Sequence, residues 1–325
     1  MLGALPASAA PSRWDRARVP GASAAAVALR AAVRARIGRD VSDDPIPGAE
    51  PLLALRAATL LDVAGMEGSS DPEVLYFLGD SWVTADRGQE ERALRVLDRA
   101  LATAPRSPLA AQGWYGAAVA RARLGDLEGA RSAAASALAL EWDAEARARA
   151  LLLRAEVDLA LGDAGRARRD SEAVLEASSD ASLRALARFA RAAAFAEADD
   201  LPDALAEAWE ASRPDFVDSQ GSAVTVLDLP ATRLLRPFQA FYYRALASMA
   251  AAERAELPAM KKTELEWARS QWKRYVAEAR VAGDSGAESA GRLLASTERR
   301  LANVCERDVT RRGAAPRRSS RAGCD

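Results

Sequence analysis

Histidine is absent from the 325 residues, lysine occurs only as Lys261, Lys262 and Lys273, cysteine only as Cys305 and Cys324, and aromatic residues make up 6%. Each scarcity excludes a class of chemistry. Without imidazole there is no Ser-His-Asp or Cys-His relay, no His-ligated metal and no ordinary proton shuttle at neutral pH. The two cysteines lie near the C-terminus at a spacing that does not make a zinc site; one disulfide and two free thiols are equally allowed. β-Branched runs are scarce, and no Gly-rich phosphate loop follows a strand, so no cofactor is expected. No run approaches the ~20 apolar residues that span a bilayer. Charge of one sign is missing too: 45 basic residues face 46 acidic ones. General nucleic-acid binding needs a clustered basic excess, so no specific nucleic-acid partner is expected.

What is present is alanine and arginine, a bias that reads first as codon usage in a GC-rich bacterial genome. Half of the residues are hydrophobic, and alanine, the best helix former, dominates them. The expectation is an all-α chain whose helices approach closely, because small side chains bury little area each.

The chain also repeats itself. "LGDLEGA" (Leu124 to Ala130) and "LGDAGRA" (Leu161 to Ala167) stand 37 residues apart. At that period Ala93, Ala130, Ala167 and Ala204 form a ladder. Five residues before each rung stand Gly88, Gly125, Gly162 and Asp199, and seven after stand Ala100, Ala137, Val174 and Ala211. Such self-similarity signals stacked helical hairpins. Glycine closes one helix in the left-handed conformation, Asp126 or Asp163 caps the next, and the rung alanine lies where the two helices cross.

The stretch "VLYFLGDSWVTADRGQEERALRVLDRALATAP" resembles the tetratricopeptide repeat through Leu78, Gly79, Trp82, Ala93, Leu97, Ala100 and Pro105. The later units keep progressively fewer of these marks, and 37 exceeds the family's usual period of 34. The resemblance implies an α-α superhelical solenoid of stacked hairpins with capping helices at both ends. It divides the chain into an N-terminus (1–22) that reads as disordered or as the remnant of a secretory signal, capping helices (23–70), four hairpins (71–213), a Pro- and Gly-bearing connector (214–236), a helical extension (237–308) and a basic, disordered tail (309–325).

The resemblance also implies a non-enzymatic interaction scaffold, with a peptide or helix lying in a concave groove. Carried over, the groove positions are Tyr76, Asp80, Tyr115, Arg123, Leu152, Glu156, Phe189 and Glu197. The alternative for the aromatics is packing between neighbouring hairpins. Family members that clamp acidic C-termini use Lys and Asn at these groove positions, and this chain has neither there, so apolar peptide faces fit better. A second reading is a regulatory sensor that passes peptide binding to the C-terminal helices. The acidic cluster Glu197, Asp199, Asp200 and Asp203 reads as turn and helix cap in preference to a Ca²⁺ site. The stripe Phe238, Phe241, Tyr242, Tyr243 reads as core in preference to a docking surface. As the chain stands it reads as cytoplasmic, with the cell envelope as the alternative should the N-terminus be a truncated signal.

Overall fold

The computed structural model describes residues 58–59, 61–62, 65–85, 88–140, 143–217, 222–229 and 234–311. The expected N-terminus, most of the capping segment and the tail beyond 311 lie outside these residues. The described chain is almost entirely α-helical and divides into two compact units, one up to residue 142 and one from residue 143. The first contains α1 (Pro72–Ala85), α2 (Glu90–Thr103), α3 (Ala110–Arg123) and α4 (Leu127–Leu138). The second contains α5 (Ala144–Ala160), α6 (Ala164–Ala177), α7 (Ala181–Glu197), α8 (Leu201–Ala211), α9 (Gln239–Arg254), α10 (Pro258–Val281) and α11 (Gly286–Arg311).

The turn chemistry explains the hairpins. Gly88, Gly125 and Gly162 have φ of +96°, +88° and +81°, and Asp199 takes the equivalent place at +59°. Such left-handed backbone costs glycine nothing sterically and is tolerated by aspartate. The residue after three of these turns caps the next helix. Asp126 accepts from the Gly129 amide and Asp163 from the Arg166 amide, both at 3.0 Å, and Asp200 accepts from the Asp203 amide at 3.4 Å. The first hairpin is built differently: Gln89 offers no side-chain cap, and the Gly88 amide donates to Glu90 Oε2. All four rung alanines have 0% exposure, and the residues seven further on are equally closed. The ladder therefore occupies one equivalent environment four times.

Within each unit neighbouring helices pack in sequence order, and the first helix of a hairpin also meets the first helix of the next: α1 on α3, α5 on α7 and α7 on α9. Close approach depends on missing side chains. A β-carbon on Gly79 would collide with Leu97, and one on Gly113 with the Tyr76 ring.

In the second unit the connector carries a short antiparallel pair, β1 (Phe216–Val217) with β2 (Ala223–Val224), and a 3-10 turn at Val226–Asp228. This is where the sequence has its β-branched patch. Helices α9, α10 and α11 then pack consecutively. Met249 Sδ on α9 accepts from Trp272 Nε1 at 3.3 Å and from Thr297 Oγ1 at 3.4 Å, joining all three helices. Ala252, Leu265 and Leu301 form a further core cluster, with Val304 and the disulfide-bonded Cys305 against it. Helix α11 runs to Arg311, three residues past the expected limit of 308, because no Pro or Gly interrupts it before Gly313. No helix of the described residues is long and apolar enough to cross a membrane.

Candidate functional site

The residues expected to line a groove lie mostly inside. In the first unit Tyr76 is 1% exposed, its hydroxyl donates to the Ala104 carbonyl at 3.0 Å, and burial pushes its pKa up to about 12. Asp80 is buried and accepts from Gln112 Nε2 at 2.6 Å, which ties α1 to α3. Tyr115 is half-buried. Arg123 is half-buried too: its guanidinium donates to the Val83 carbonyl at 2.9 Å and stands 3.8 Å from Glu90. In the second unit Leu152, Glu156 and Phe189 are buried, and Glu197 is half-buried. The acidic turn behaves as its position in the repeat predicts, with Asp199 in the turn and Asp200 as the cap.

Glu197 lines a second feature that the groove register does not anticipate, and Phe189 packs against its wall. Leu159 and Ala160 of α5, Ala193 and Glu197 of α7, Gln239, Tyr242 and Tyr243 of α9, Tyr275 of α10 and Asp284 line one cavity. The space inside it is about that of a single water molecule. The sequence did carry one clue. Gln239, Tyr242 and Tyr243 stand at i, i+3 and i+4, one face of a helix, and three of the chain's five tyrosines fall between 242 and 275.

Aromatic rings build the wall. Phe189 stacks on Tyr243 with centroids 5.1 Å apart, and Tyr242 meets the edges of Trp272 at 4.8 Å and Tyr275 at 4.9 Å. Burial raises all three tyrosine hydroxyls well above their ordinary pKa, so they remain protonated. Carboxylates complete the site. Asp284 pairs with the Arg236 guanidinium through Oδ2, and its Oδ1 accepts the Gly286 amide at 2.8 Å. Glu156 accepts the Leu235 amide at 3.1 Å; burial lifts its pKa to about 7 against the opposing pull of that bond and of Arg236. Glu197 also rises to about 7, through burial and then the charge of Asp284, with Arg292 opposing.

The start of α11 fixes the geometry. A β-carbon on Gly286 would lie 2.7 Å from Tyr275 Oη and 3.2 Å from both Glu197 Oε1 and Asp284 Oδ1. The Tyr275 hydroxyl thus packs against the Gly286 backbone, and only glycine avoids a clash there. Around the cavity, Gln239 Oε1 and the Tyr243 hydroxyl are buried without a hydrogen-bond partner. Neither Tyr275 Oη nor the Glu197 carboxylate makes a hydrogen bond among the described residues. Among the described residues no group of three or more acidic or cysteine side chains could hold a metal ion.

The hairpins define the chain as an all-α protein of helical-repeat-like architecture, with a small polar-aromatic cavity in its second unit. No protein-family model matches the chain, and no curated protein matches it in sequence.

Proposed function

We propose that this chain is a non-enzymatic interaction protein of tetratricopeptide-like construction, which recognises a peptide or helix of a partner protein. The observation that carries the reading is the fourfold equivalence of turn and rung. Gly88, Gly125, Gly162 and Asp199 share one backbone conformation, and Ala93, Ala130, Ala167 and Ala204 share one closed environment. Repeated hairpins of this kind present successive first helices to a common ligand. The lack of histidine supports a role without catalysis. Of the groove positions in the first unit, Tyr115 and Arg123 retain accessible surface, so recognition by that unit falls to them and to their exposed neighbours.

The test is a displayed peptide library selected on the purified chain. Enriched peptides should bind the native chain, and Tyr115→Ala should weaken them at least tenfold with an unchanged helical melting curve. Absence of any enriched sequence, or indifference to Tyr115→Ala, would remove the groove. Phe189→Ala is unsuitable for this purpose, because emptying a fully closed aromatic site costs ~3–5 kcal/mol of stability.

The sensor reading gains one observation. Ser285, between α10 and α11, donates to the Leu159 and Ala160 carbonyls at 3.3 and 2.9 Å. The end of a repeat helix is thereby linked to the C-terminal helices of the same unit. The disulfide at Cys305 favours the envelope over the cytoplasm, since such bonds persist in oxidising compartments.

A further inference from the structure

We infer that the joint between the repeat helices α5 and α7 and the C-terminal helices α9–α11 of the second unit is a pH-sensitive latch, closed while Glu156 and Glu197 hold their protons and opened when both ionise. The inference stands apart from the interaction reading, because the joint would respond to protons whether or not the chain carries a protein partner.

Geometry comes first. Two loops bring the C-terminal helices onto the repeat, and both land on α5. Leu235, just before α9, donates its amide to Glu156, and Ser285, just before α11, donates to the Leu159 and Ala160 carbonyls. The Arg236–Asp284 pair joins one loop to the other. Glu156, Arg236 and Asp284 are 5%, 8% and 8% exposed. Glu197 Oε1 and Asp284 Oδ1 each stand 3.2 Å from the β-position of Gly286, so the carboxyl of α7 is a neighbour of the one in the loop. Three carboxyls thus share one enclosed guanidinium. Asp284 takes it, and burial opposes the charge that is left uncompensated, so the closed joint favours Glu156 and Glu197 in their protonated forms.

The charges on the surrounding elements leave that deficit standing. On α5, Asp158 adds its charge to Arg154, which pairs with Asp170 of α6. Glu207 of α8 takes Arg188 and Arg191 of α7, and Arg244 of α9 takes Asp228. Helices α9 and α10 face the glutamates with Tyr242, Tyr243 and Tyr275, all of them protonated. On α11, Arg292 draws Glu197 towards ionisation, but it is half exposed and shared with Asp199 and Glu288. Water cannot restore the balance while the joint is shut. The cavity beside Glu197 has room for about one water, and Gln239 Oε1 and the Tyr243 hydroxyl, buried without partners, line it as well. An ionised carboxylate has about four acceptor sites, so its hydration requires the two loops to part. Both glutamates titrate at about 7, which places the opening at neutral pH.

Hydrogen–deuterium exchange of the full chain at pH 5 and pH 8, read by mass spectrometry as protection corrected for the intrinsic exchange rate, tests the proposal. Peptides covering 234–244 and 282–292 report the joint; α6, in the same unit, and α4, in the other, report the rest. Between the two pH values the joint should lose protection roughly a hundredfold or more, while α6 and α4 stay protected. Replacing both groups, Glu156→Gln with Glu197→Gln, should keep the joint protected at pH 8. Either single substitution should recover roughly tenfold of the loss, and carries the test should the double variant fail to fold. Three results overturn the latch: a joint equally protected at both pH values, loss of protection in α6 together with the joint, or an unaltered pH response in the glutamine variants. The second of these would show that the whole unit melts and that no part of it opens alone.

Discussion

Glu156 is 5% exposed and is held by a single backbone amide, with Arg236 as its nearest cation. A carboxyl moved from its ordinary 4.5 to about 7 binds its proton more tightly in the folded than in the unfolded chain. Stability from this group is therefore complete below pH 4.5 and is lost as pH rises towards 7. Glu197, beside Asp284 and Arg292, acts in the same sense over the same window. For Glu156 the loss is on the order of 3 kcal/mol, at ~1.4 kcal/mol per pH unit. The chain should therefore melt lower at pH 8 than at pH 5. Glu156→Gln keeps an acceptor for the Leu235 amide, and should flatten that dependence and raise the melting temperature at pH 8 by roughly 5–10 °C. Calorimetric scans of both proteins at the two pH values check this; a native chain that melts higher at pH 8 would contradict it. In a protein without imidazole, the response to neutral pH passes to two glutamates.

At the level of elements the turns offer the sharpest comparison, because one of the four equivalent positions is not glycine. Asp199 holds φ of +59° at a cost of ~1–2 kcal/mol, and its contact with Arg292, at 3.7 Å and exposed, returns little. Asp199→Gly should raise stability by about 1 kcal/mol in urea melts, and Gly162→Ala should lower it by a similar amount. Asp163→Ala, which removes the cap from α6, should cost ~1 kcal/mol. At the crossing itself, Ala167→Leu should destabilise by ~1–3 kcal/mol, since the rung has no free surface to accept three more carbons. These positions were legible in the sequence for a physical reason. A left-handed turn, a cap and a crossing each demand a particular small or polar residue at a fixed offset, and the demand recurs at every repeat. The cavity was not legible in the same way. Its members come from α5, α7, α9, α10 and the loop before α11, residues far apart in the chain. Glu156, Phe189 and Glu197 were found by register, but nothing local says that Tyr242, Tyr275 and Asp284 stand opposite them. Burial of Tyr76 and Asp80 was equally hidden, because it depends on Gly113 and Gln112 of the following hairpin.

At the scale of the whole chain, the second unit holds its own hydrophobic core, its own caps and the complete cavity within residues 143–325. Expressed alone, that segment should unfold in one cooperative helical transition. A gradual, non-cooperative loss of ellipticity would show that it needs the preceding residues.

Met249 adds a consequence of a different kind. Its thioether is the acceptor for a fully enclosed indole N–H and for a threonine hydroxyl, and Thr297 has the Leu293 carbonyl as a second outlet while Trp272 has none. Leucine would match the bulk of that side chain yet leave the indole proton stranded. At this one core position, elemental identity outranks volume, and sulfur rather than size is what a substitution must preserve.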